Sequence, residues 1–105
     1  MSTKDFYQVI VSDQATKMLI SHSVFLSQVD PAVAEHLIIE FEKTSHSLEF
    51  MPQGCSWFKA DYIPQNKYRF IIFEKIYMMI FQIIDTTVYI DYIVDCRQDY
   101  TWLLH

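Results

Sequence analysis

The sequence holds a single glycine, Gly54, among 105 residues. A loop that wraps a phosphate with backbone N–H groups needs several glycines at set offsets, so nucleotide-binding loops of that kind are excluded. Cysteine is also scarce. Cys55 and Cys96 lie 41 positions apart and outside any C-x-x-C pair, as expected of reduced thiols in a cytosolic chain. The four histidines (His22, His36, His46 and His105) show no metal-ligand spacing with each other or with the cysteines, so no metal and no other cofactor is expected. No Ser-His-Asp or Cys-His order stands out for nucleophilic catalysis. The longest apolar run, Ile76 to Ile84, has nine residues and includes Gln82, against the roughly 20 that a membrane-crossing helix needs. A basic segment followed by an apolar run and a small-residue cleavage site is missing from the start, which argues for a soluble cytoplasmic protein without a membrane partner.

Positive charge is short as well. Eight Lys and Arg stand against thirteen Asp and Glu, for a net charge of −5. Residues 51–105, the more basic half, carry five basic and six acidic side chains. Proteins that grip a phosphate backbone cluster their cations, because affinity comes from neutralising phosphates and releasing counterions. Strong direct nucleic-acid binding is therefore not expected.

What the chain has is apolar mass. Half of it (51%) is hydrophobic and 16% is aromatic, within one domain spanning residues 1–105. Two readings stay open: a dense core, or apolar area left exposed for a partner. The run Phe6 to Val11 is β-branched and aromatic, which suits a first strand. Ser12 and Asp13 offer N-cap oxygens to a helix whose apolar positions are Ala15, Met18, Leu19, Phe25, Leu26 and Val29, with His22 as a packing residue on the same face. Asp30-Pro31 restarts the pattern, and Ala34, Leu37, Ile38, Phe41 and Leu48 form the stripe of a second helix ending near Glu49. The short connection makes the pair an antiparallel hairpin. Residues 50–66 read as a long loop whose Trp57, Phe58 and Tyr62 pin it down or await a partner.

Three strands follow, over 68–73, 77–84 and 88–96, with turns at Glu74-Lys75 and Asp85-Thr86. In the last strand Val88, Ile90, Tyr92, Val94 and Cys96 alternate with Tyr89, Asp91, Ile93, Asp95 and Arg97. Two helices cover the first set. With no third element in view, the other sheet face is expected to stand open and to carry Asp91, Asp95 and Arg97. The fold class is α+β: an N-terminal strand, a helical hairpin, then an antiparallel β-meander with the helices packed on one sheet face.

This order resembles the RelE/ParE toxins of bacterial type II toxin–antitoxin modules. The likeness is carried by Tyr7 to Ser12 leading into a helix, by Tyr77 to Asp85, and by the ending Asp95-Cys-Arg-Gln-Asp-Tyr100. It implies a cognate antitoxin as partner, and DNA gyrase or the ribosome as target. Ribosome-dependent nucleases of that family cleave mRNA without metal, using cations on the open sheet face to stabilise charge on phosphate. Here the resemblance implies Arg69, Arg97 and Tyr100 as catalytic positions, helped by Lys59. Two cationic positions of the pattern are occupied instead by Ile71 and Met78. A unit charge ~4 Å from phosphate is worth about 4 kcal/mol at an effective dielectric of ~20, so each loss is large. The expected function is a toxin-type protein acting by protein–protein contact, with a reduced-site endoribonuclease or a decayed, non-toxic relative as alternatives.

Overall fold

The structure is a computed structural model that describes residues 6–61 and 63–97. Its elements are β1 (Gln8–Val11), α1 (Asp13–Ser27), α2 (Pro31–Ser47), a 3-10 turn at Pro52–Gly54, then β2 (Ser56–Trp57), β3 (Arg69–Phe73), β4 (Tyr77–Ile84) and β5 (Thr87–Asp95). The helix starts follow from side-chain oxygens that satisfy otherwise orphan N–H groups. The Ser12 hydroxyl accepts from the Ala15 amide at 3.0 Å, and Asp30 accepts from the Ala32 amide at 3.0 Å ahead of Pro31. Because glycine is so scarce, Met51, Asn66, Glu74, Lys75 and Asp85 take the positive φ angles of the turns.

The five strands form one mixed sheet in the order β1-β5-β4-β3-β2. β3, β4 and β5 make the expected antiparallel meander, and β1 joins β5 in parallel, with Gln8 opposite Thr87 and Val11 opposite Ile90. The α+β class with the helical hairpin on one sheet face is as expected. Tyr77 to Phe81 is buried without alternation, so both faces of β4 are covered.

Two cores lie on opposite sides of the sheet. The larger packs Leu19, Leu37 and Phe41 of the hairpin against Met79, Phe81 and Ile90. The smaller packs Phe58 and Ile63 against Tyr68, Met78, Ile80 and Val94. This second core overturns the expectation of an open sheet face. Instead of remaining a solvated linker, the chain after β2 folds across the sheet, and Phe58 meets Phe70 edge-on with centroids 6.3 Å apart.

The alternation assigned to the last strand also fails, for a local reason. Ile80 pairs with Tyr92 but Phe81 pairs with Ile90, so Asp91 is the extra residue of a β-bulge. A single inserted residue inverts every later side chain. Val88 and Ile90 face the helices as expected, but beyond the bulge Ile93 does so too, while Val94 and Cys96 turn to the other face. Asp95 is consequently 6% exposed rather than displayed on an open surface.

Candidate functional site

Past the end of β1 the outer edge of β5 is capped by α1. The His22 ring sits 5.0 Å from that of Tyr77, and its Nε2 lies 3.0 Å from the Ile93 carbonyl. A carbonyl oxygen only accepts, so Nε2 carries the proton and donates. His22 is thus a hydrogen-bonded packing residue. A groove of about 630 Å³ runs beside it, lined by Asp13, Gln14, Lys17, Met18, Ser21 and His22.

At the same end of the sheet Arg97 grips Asp95 through two parallel bonds, Nε to Oδ1 at 3.0 Å and Nη2 to Oδ2 at 2.8 Å, and its backbone N–H donates to Oδ1 at 2.9 Å. These bonds, the side-chain pair above all, hold the Asp95 carboxyl below its ordinary range despite burial. The strand-ending guanidinium therefore already has a carboxylate in its fork. Burial pushes the nearby Tyr77 hydroxyl and Cys96 thiol up, with Asp95 adding to both shifts, so neither is primed as a nucleophile.

Arg69 sits elsewhere. It shares a sheet face with Ile71 and Phe73, which pack toward the helices. Its Nη1 donates to the carbonyls of Gln53 at 2.9 Å and Cys55 at 2.8 Å, and its guanidinium lies 3.7 Å from the centre of the Trp57 ring. Arg69 is level with Phe81, whereas Asp95 is level with Tyr77 and Arg97 lies two residues beyond; this offset of four plus two positions, at ~3.3 Å each, is about 20 Å along the strands. Arg69 and Arg97 are therefore too far apart to meet at one phosphate. Lys59 is on the loop, at the rim of a cleft of about 410 Å³ on the second sheet face whose walls include Phe58, Phe70, Ile72, Met78 and Cys96. Tyr100, like Tyr62, lies outside the described residues. Asp91 turns to Tyr68 and Gln82, accepting from the phenol at 3.1 Å and the amide at 2.7 Å, and burial together with this carboxylate pushes the Tyr68 hydroxyl well up. Among the described residues no group of three or more His, Cys, Asp or Glu could hold a metal ion. None of the described helices is long and apolar enough to cross a membrane.

The site that sequence reasoning missed is α1 itself. Phe25 and Val29 were expected in the core, yet with Ile20 and Val24 they are 53–77% exposed. The signal was available: from Met18 to Val29 the chain has no Asp, Glu, Lys or Arg. The outer side of α2, by contrast, pairs Glu40 with Lys43 and His36 and pairs Glu49 with His46, as a solvated helix does. The second half of α1, from Met18 on, exposes apolar surface that holds no charged side chain.

No protein-family model matches the chain, and no curated protein matches it. Among solved structures it is similar to a chain of the chromosomal ParDE TA system from P. aeruginosa, with a TM-score of 0.70 over 88% of this chain and 98% of that one, at 12% sequence identity. The two share a fold.

Proposed function

We propose that this protein is a toxin-type component of a type II toxin–antitoxin module, acting by protein–protein contact in the cytoplasm and neutralised by a cognate antitoxin. One observation carries the reading: within the charge-free run from Met18 to Val29, the apolar side chains of Ile20, Val24 and Phe25 on α1 and of Val29 just beyond it are exposed and free of the core. A solvated surface helix keeps its charges outward. This one offers apolar anchors beside a groove, the arrangement by which an extended or helical segment is held. The shared fold with a ParDE chain supports an antitoxin as that segment. DNA gyrase or the ribosome is the corresponding target, engaged as a protein surface. The separation of Arg69 from Arg97, and the capture of Arg97 by Asp95, favour contact over cleavage.

The test is induction of the chain in cells, with and without the small protein encoded in the adjacent reading frame. Growth arrest that co-expression relieves, together with a nanomolar complex of the two purified chains, is the expected result. Absence of both arrest and complex refutes the reading and leaves a decayed, non-toxic relative. Cuts in translated mRNA that disappear in Arg97→Ala replace it with the endoribonuclease.

A further inference from the structure

Arg69 is held in place, yet no carboxylate of the described residues pairs with it. Its Nη1 is occupied by the carbonyls of Gln53 and Cys55, and its plane is stacked on Trp57. This leaves the edge formed by Nε and Nη2. Arg97 uses that same edge to hold Asp95. Within the same pocket, of about 170 Å³, stand Lys67, Asn66 and the apolar side chain of Ile83, and none of its lining residues is acidic. Lys67 has its ammonium 5.4 Å from the Tyr68 ring and, like Arg69, takes part in none of the ion pairs of the described residues.

An arginine held by two carbonyls and an aromatic face loses little further freedom on binding, and its open edge matches the two oxygens of a carboxylate. We propose that the Trp57–Lys67–Arg69 pocket is a binding site for a single carboxylate side chain, Glu or Asp, presented by a protein partner next to an aliphatic residue. Arg69 supplies the bidentate contact, Lys67 the second charge, and Ile83 with Trp57 the apolar wall. Two cations in a pocket this small suit one acidic group. A nucleic-acid strand needs a track of cations, and the net charge of −5 opposes it. The site lies on the helix side of the sheet, away from the exposed side of α1, and does not depend on whether the partner is an antitoxin.

Trp57 reports on the pocket directly once Trp102, the other tryptophan of the sequence, is replaced by Phe. Its fluorescence is followed while titrating the capped tripeptide Leu-Glu-Leu, its Leu-Gln-Leu counterpart, inorganic phosphate and a short oligothymidylate. The expected result is a saturable change with the Glu peptide, about tenfold tighter than with the Gln peptide, because a charge-assisted bidentate pair is lost in the latter. Arg69→Gln abolishes the difference and Lys67→Gln reduces it severalfold, with circular dichroism confirming that both variants are folded. Should Arg69→Gln fail to fold, the Glu-to-Gln ratio in Lys67→Gln decides alone. Equal response to the two peptides, no saturable response, or tighter binding of phosphate or oligothymidylate overturns the proposal.

Discussion

Truncation of Phe25 separates the stability of the isolated chain from its grip on a partner. In the free protein the Phe25 side chain is 63% exposed, near the end of α1 and outside both cores, so Phe25→Ala removes little packing and gains helix propensity. Its unfolding free energy is expected to change by less than about 0.5 kcal/mol. In a complex the balance differs. A phenylalanine buries 150–250 Å², so covering its exposed share removes roughly 120 Å² from water. At about 25 cal/mol per Å² this is worth about 2–3 kcal/mol, or roughly a 30- to 150-fold increase in Kd. The assay is isothermal titration calorimetry of wild type and Phe25→Ala with the protein of the adjacent reading frame, alongside urea unfolding of each chain alone. An unchanged Kd refutes α1 as the partner surface. A large drop in the unfolding midpoint refutes the premise that Phe25 stands outside the core. A parallel pair at Val24 and Glu35 sharpens the contrast, since charging the apolar side should weaken the complex while altering the polar side of α2 should not.

Two further outcomes test the sheet. Phe58→Ala empties the centre of the second core and is expected to cost about 2–4 kcal/mol in urea unfolding, whereas a loss below about 1 kcal/mol would mean that the loop does not cover this face. The Asp95 carboxyl is held below its ordinary value of 3.8, so its contribution to stability is full above that pH and fades as pH falls through the lower folded value; Asp95→Asn should flatten the acid limb of a plot of unfolding midpoint against pH, and an unaltered limb would refute the pairing.

The elements themselves were legible because each has a strong local signature. Ser12 and Asp30 announce the helix starts, the Ala34–Leu37–Phe41 spacing gives the inner side of α2, and the apolar run over 77–84 gives a strand. What could not be read were consequences of pairing. Nothing in the residues of β5 says that Asp91 is extra, since the bulge exists only relative to β4. Nor does the composition of residues 50–66 show that Phe58 crosses the sheet while Trp57, its neighbour, stacks on Arg69. On α1 the period was read correctly but too generously. Ala15, Leu19 and Leu26 turn inward, and a helix that has apolar residues on more than one side cannot bury them all against a single sheet.

The bulge at Asp91 links these points, because one inserted residue decides the chemistry of both sheet faces. Without it, Asp91, Ile93, Asp95 and Arg97 would lie together on the face away from the helices, setting an isoleucine between two carboxylates. With it, Asp95 moves under α1, where it is buried, meets Arg97 and adds to the upward shift of Tyr77. The opposite face receives Tyr92, Val94 and Cys96, which join Met78 and Ile80 beneath Phe58. The exchange removes charge from the face that would otherwise hold it and makes that face apolar enough for the loop to settle there. Once Phe58 and Ile63 have done so, Met78, Ile80 and Val94 are buried on that face, while Ile20, Val24 and Phe25 of α1 stay exposed. The helix that keeps Ile20, Val24 and Phe25 exposed is charged only in its first half, at Asp13 and Lys17.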